Sequence, residues 1–123
     1  MTTFVHDLIS KSAERCPLNT ALTLKDQQLN YLEFSENIIS IAASYRALKI
    51  ERYQRIGIYL PKTIENVLGM FACSKAGAVF VPINPVLKAP QVRHIANDCD
   101  VKIIITNKAR FKGLQSVLAN LTQ

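Results

Sequence analysis

The spacing of apolar positions changes period repeatedly along the chain, and each change marks an element. From Phe4 to Arg15 they fall at helical intervals, with Phe4, Leu8, Ile9 and Ala13 on one face. Pro17 then closes that helix. In "TALTLKDQQLNY" the apolar residues Ala21, Leu22, Leu24 and Leu29 flank a polar KDQQ segment, which predicts a short hairpin. A second helix opens at "NYLEF", where Asn30 can cap the first turn and Glu33 can reach back to the Asn30 amide. Its stripe is Phe34, Ile38, Ile41, Ala42, Tyr45 and Leu48, ending near Lys49.

Beyond Arg55 the apolar runs become short and continuous. "RIGIYL", bounded by Pro61, predicts a buried strand. Thr63 caps the next helix, with Glu65 in its first turn, and Ile64, Val67, Leu68, Met70, Phe71, Ala72 and Cys73 cover more than one face. Gly77 ends it, because glycine takes the left-handed conformation without a Cβ penalty. Ala78 to Ile83 is then a strand apolar on both faces, with Pro82 near its end and Pro85 fixing a turn that holds Asn84 extended. The unit repeats. A helix spans about Ala89 to Cys99, with Pro90 in its first turn and Val92, Ile95, Ala96 and Cys99 inward. A strand covers Val101 to Ile105, and a last helix is capped by Asn107 with Phe111, Leu114, Val117, Leu118 and Leu121 inward. Strand, helix, strand, helix, strand, helix implies an α/β fold: a mainly parallel sheet between helical layers, with a short N-terminal hairpin.

Composition agrees with a single folded unit. The chain has 123 residues, 49% hydrophobic and 20% charged, enough for one domain with a core. No apolar run reaches the ~20 residues of a membrane span, and the start does not read as a signal peptide, so a cytoplasmic location is expected. Three widely spaced cysteines, Cys16, Cys73 and Cys99, form neither a disulfide framework nor a zinc pattern. The net charge of +6 raises the question of an anionic partner. Its densest group is Arg46, Lys49, Arg52 and Arg55, followed by Lys108, Arg110 and Lys112. Neither reads as interleaved with base-stacking aromatics, so nucleic acid is not expected.

Candidate chemistry is sparse. Ligands of such sheets sit at the carboxyl ends of the strands, here at Leu60-Pro61-Lys62-Thr63, Ile83-Asn84-Pro85 and Ile105-Thr106-Asn107. Thr63 and Asn107 start helices, which attract anions, but capping accounts for both. There is neither GxGxxG nor a P-loop. His94 and Asp98 share a helix face that Cys99 does not, so a Cys–His–Asp site is not formed. His6 and Asp7 are sequence neighbours and are not expected to face each other. Glu33 and Glu36 read as a cap and a surface residue. By residues alone, no catalytic, cofactor-binding or metal-binding set is assigned.

The ordered motifs nevertheless resemble a family. "CPLNTALTLKDQQLNYLEF" is similar to the opening hairpin and Leu-Thr-Tyr-x-Glu-Leu motif of AMP-forming acyl-CoA ligases. These belong to the adenylate-forming superfamily, with peptide-synthetase adenylation domains and luciferases. "RIGIYLPKTIENVLGMFACSKAGAVFVPINP" resembles the block running from Leu-Pro-Asn through Lys-Ala-Gly-Ala to Val-Pro-Leu-Asn-Pro, and "QVRHIANDCDVKIIIT" the helix and strand after it. Departures are Asn30 for Thr or Ser, and Lys49 and Tyr53-Gln54 where the family's Leu-Gly-Val-x-x-Gly-Asp turn has glycine and Gly-Asp, which implies a reshaped turn. Asn84 stands where peptide-synthetase domains usually have Asp, which favours an acyl-CoA ligase.

The resemblance implies that residues 1–123 are the N-terminal part of an AMP-binding domain, ending before the Ser/Thr/Gly-rich phosphate loop, within a larger acyl-CoA synthetase-like fold. The full-length enzyme would use ATP, magnesium and coenzyme A to turn a carboxylic acid into an acyl-adenylate and then a thioester. The segment alone is expected to be inactive, and to self-associate through surfaces meant for the rest of the ligase. The alternative is a non-enzymatic basic α/β module that binds a protein or anionic partner through Arg46 to Arg55.

Overall fold

The computed structural model describes residues 4–118, with side chains through 115. Helix α1 (Val5–Arg15) leads into a hairpin of β1 (Thr20–Leu24) and β2 (Gln27–Asn30), then α2 (Tyr31–Ala47). The alternating part follows as β3 (Arg55–Tyr59), α3 (Ile64–Ala76), β4 (Val79–Pro82), α4 (Ala89–Asp98), β5 (Val101–Thr106) and α5 (Lys108–Leu118).

Strands β3, β4 and β5 form a parallel sheet in the order β4-β3-β5, while β1 and β2 pair antiparallel by themselves. Ile56 lies opposite Phe80 on one side and Ile103 on the other, so the three runs read as buried strands do stand side by side. The order explains the layering. Passing from β3 to β4 moves one way across the sheet, and from β4 to β5 the other way over β3. Crossovers of one hand then place α3 and α4 on opposite faces. Side-chain alternation completes the division. Ile56, Ile58 and Leu60 pack with Phe34, Ile38, Ala42, Tyr45, Leu68, Ala72 and Cys73 of α2 and α3. Tyr59 and Ile83 pack with Val92 of α4 and Leu114 of α5.

Local chemistry sets the boundaries. At α2, Asn30 Oδ1 accepts from the Glu33 amide at 2.8 Å and Glu33 Oε1 from the Asn30 amide at 2.9 Å, a reciprocal cap. Gly77 ends α3 with φ 81°, as its lack of a Cβ permits. Lys49 and Tyr53 also lie in the left-handed region, at φ 65° and 67°. Both positions of the turn from α2 to β3 thus hold a backbone that glycine would adopt freely.

Several expectations need correction. The hairpin turn is Lys25–Asp26 rather than KDQQ, because Gln27 and Gln28 already pair with Leu24 and Thr23. Strand β4 is not covered on both faces: it is an edge strand, and Val79 and Pro82 are exposed. Pro82 fits there because consecutive amides point to opposite sides. Ile83 N donates to Ile58 O of β3, which leaves the missing Pro82 N–H on the open edge. Periodicity also overcounted the inward residues. Leu8 is 59% exposed, Leu48 64%, and Phe4 and Phe111 are each nearly half exposed, since these helices meet a neighbour along a narrower line than their apolar stripe. Cys99 is a half-buried C-cap. The side chains of Val117 and Leu118, and Leu121 altogether, lie outside what is described.

Candidate functional site

The connections after β3 and β5 leave toward opposite faces, α3 on one and α5 on the other. In open α/β sheets, such a divergence at the carboxyl ends of two neighbouring strands is where ligands are taken. Tyr59 and Thr106 pair in register at those two strand ends. Thr106 Oγ1 is buried and has no hydrogen-bond partner among the described residues. Such a hydroxyl is uncommon, because an unsatisfied buried group costs roughly 1–3 kcal/mol.

The loops at the carboxyl ends of the strands are held from within. After β3, Thr63 Oγ1 accepts from the Asn66 amide at 3.3 Å. Asn66 Nδ2 donates to the carbonyls of Leu60 and Pro61 at 3.0 and 3.2 Å. Beside this loop lies a pocket of about 340 Å³ lined by Leu22, Leu24, Lys62, Ile64 and Val67. After β5, Asn107 Oδ1 accepts from the Arg110 amide at 2.9 Å, so Thr63 and Asn107 are both caps as read from their positions.

The turn after β4 is the most constrained. Asn84 Oδ1 accepts from Val86 N at 3.1 Å, and the Leu87 amide returns to Asn84 O at 3.1 Å. The Tyr59 hydroxyl donates to Leu87 O. Arg110 Nη2 donates to Pro85 O at 3.3 Å while its guanidinium lies 5.5 Å from the Tyr59 ring centroid. One cation from α5 thereby ties the 84–87 turn to the central strand. An aspartate at 84 would accept the same Val86 bond, so the turn itself does not demand asparagine.

The sequence pairs fall as follows. His94 and Asp98 are exposed on α4 and carry no shared site with Cys99. His6 and Asp7, expected to face apart, meet: His6 Nε2 is 3.4 Å from Asp7 Oδ1. His6 Nδ1 lies 2.9 Å from Ser74 Oγ, and the His6 amide donates to the same oxygen at 3.4 Å. Sequence reasoning missed this because 68 positions separate the partners. Burial, and then the positive Lys75, hold the His6 imidazole below its ordinary 6.5 against the opposing pull of Asp7. The basic group between α2 and β3 is partly committed. Arg55 Nη1 donates to Cys99 O at 2.7 Å, and the Arg52 guanidinium lies 4.9 Å from the Tyr53 ring centroid. Tyr53, 69% exposed, is an aromatic within that group, contrary to the reading that it had none. Among the described residues, no three His, Cys, Asp or Glu side chains converge as a metal site would require.

Residues 9–123 match the family of AMP-binding enzymes. Among curated proteins, the chain is 33% identical over 101 residues to tyrocidine synthase 3 of Brevibacillus parabrevis, across 82% of this chain and 2% of that protein. It is 28% identical over 114 residues to syringomycin synthase SyrB1 of Pseudomonas syringae pv. syringae, across 93% of this chain and 19% of that one. Among solved structures, the anthranilate CoA ligase AuaEII bound to anthranoyl-AMP superposes with a TM-score of 0.92 at 22% identity, over 98% of this chain and 23% of that one. VinN with L-aspartate gives 0.87 at 26% identity, over 94% and 33%. The chain spans a third or less of these relatives. It belongs to the AMP-binding, adenylate-forming enzyme family, and its fold is that of the N-terminal part of acyl-CoA synthetase-like proteins.

Proposed function

We propose that residues 1–123 are the opening layers of an AMP-binding domain in an ATP-dependent acid–thiol ligase, and that the chemistry is carried by residues beyond this segment. The observation that supports it is the β3–α3–β4 block ending in the Arg110-clamped turn, within a family match over residues 9–123. In that reading the whole enzyme joins a carboxylate to ATP, releasing pyrophosphate, and passes the acyl group to coenzyme A. Magnesium would supply charge neutralisation on the phosphates. This segment contributes framework: Asn66 and Arg110 fix the loops at the carboxyl ends of the strands, and the sheet keeps them in register. Coenzyme A, rather than a peptide-synthetase carrier, is favoured by Asn84.

The experiment has two arms. The 123-residue chain with ATP, magnesium and a panel of carboxylic acids is expected to release no pyrophosphate above blank. Release would place catalytic residues within the segment. The same residues grafted into an acyl-CoA ligase, in place of the equivalent stretch, are expected to support acyl-CoA formation. A folded graft that makes adenylate but no thioester would remove the coenzyme A assignment.

A further inference from the structure

A second concavity lies at the other end of the sheet. Its walls come from the start of α1, the Arg52–Tyr53 turn entering β3, and the segment from Ser74 to Phe80 that ends α3 and begins β4. It therefore opens at the amino ends of the strands. The five-residue length of β3, about 16 Å at ~3.3 Å per residue, separates it from the carboxyl-end loops. Its volume is about 700 Å³, inside the range of roughly 300–1,000 Å³ for small-molecule sites.

The lining has a definite chemical character. Phe4, Tyr53, Val79 and Phe80 supply apolar and aromatic surface, and Arg52 and Lys75 supply positive charge. Among the described residues, no Asp or Glu lines it. His6 and Ser74 are also in the wall, and their contact at 2.9 Å pins the start of α1 to α3, so the polar groups are already ordered. An open, mostly apolar concavity with two cations and no described carboxylate suits a molecule with an apolar body and a single anionic head. A polyphosphate would leave the aromatic walls unused, and a neutral lipid would leave the cations unused.

We propose that this amino-end pocket binds a small amphipathic carboxylate. Its apolar body lies against Phe4, Tyr53, Val79 and Phe80, and its carboxylate lies by Arg52 and Lys75. The site goes beyond the ligase reading, because it is at the opposite end of the strands from the loops assigned to that chemistry.

Octanoate titrated into the 123-residue chain is the test, followed by amide and imidazole NMR. Saturable shifts are expected at residues 52–53 and 74–80. The His6 titration midpoint is expected to rise, because an anion beside Lys75 offsets the charge that lowers it while Asp7 stays in place. Octanol, which lacks the charge, is expected to bind on the order of tenfold more weakly. Arg52→Gln is expected to weaken octanoate by about fivefold. Val79→Trp, on an exposed edge position that accepts aromatics, is expected to fill the pocket and abolish binding. Non-saturating shifts, shifts centred on residues 60–63 and 106–107, or equal affinity for octanol would each overturn the proposal. So would octanoate affinity unchanged in a folded Val79→Trp. If that variant does not fold, unchanged affinity in Arg52→Gln overturns it alone.

Discussion

Cys73 of α3 packs toward Tyr45 of α2 with its thiol buried, and burial pushes its pKa up to about 12. Thiolate is the reactive form, so Cys73 is expected to resist iodoacetamide in the native chain while half-buried Cys16 and Cys99 are modified first; peptide mass spectrometry checks the order. His6 gives a pH dependence with a definite sign. Its folded pKa is below the ordinary 6.5, so the unfolded chain takes up the proton more readily. Stability is full above that ordinary value and is lost as pH falls through the lower folded one. Thermal midpoints measured downward from neutral pH are expected to drop more for the wild type than for His6→Gln. Lys49 holds φ 65° without being glycine. Relief of that strain outweighs glycine's extra unfolded-state entropy, so Lys49→Gly is expected to raise stability by about 0.5–1 kcal/mol in urea melts. Contacts three residues apart were legible in advance, as the Asn30–Glu33, Thr63 and Asn107 caps demonstrate. The His6–Ser74 bond was not, because local pattern carries no information about which helix end arrives beside which.

Apolar spacing marked all the helices and strands, yet it left strand order and coverage open. Strands β3 and β4 look alike as strings, but only β3 is central. Gly57 of β3 records that position: a Cβ there would come within 3.0 Å of Ile83 Cδ1 and 3.3 Å of Val101 Cγ1. The absent side chain lets the flanking strands' residues close over the middle of the sheet. Gly57→Val is expected to cost about 1–3 kcal/mol by overpacking, read from the urea midpoint. A similar limit applies to helices. Leu48 and Phe111 fit the helical period and still face water, because period identifies a stripe and the width of the contact decides how much of it is used. The short hairpin was placed correctly, whereas its turn was assigned too long: polar Gln27 and Gln28 look like loop but satisfy a ladder.

At the scale of the molecule, the two-sided layering followed from the repeated strand–helix order, and the family from the ordered motifs around Lys75 to Pro85. The amino-end pocket was not expected, since it gathers three segments far apart in sequence. Strands β4 and β5 each leave one edge unpaired in the described sheet, and Leu18, Val86 and Tyr53 present apolar surface. Unpaired edges and apolar surface favour association. Sedimentation of the 123-residue chain across a concentration series is expected to show growth beyond monomer. No helix among the described residues is long and apolar enough to cross a membrane.

The central place of β3 also governs the timetable of synthesis. It is the first of the three sheet strands to leave the ribosome, and each later one joins an outer flank. No strand must thread between two already joined, so the nascent chain can build outward without undoing earlier pairings. A polypeptide halted near Leu87 would already own the α2–α3 side of the interior apart from Ile103 and Ile105 of β5, and would still lack α4 and α5 on the other.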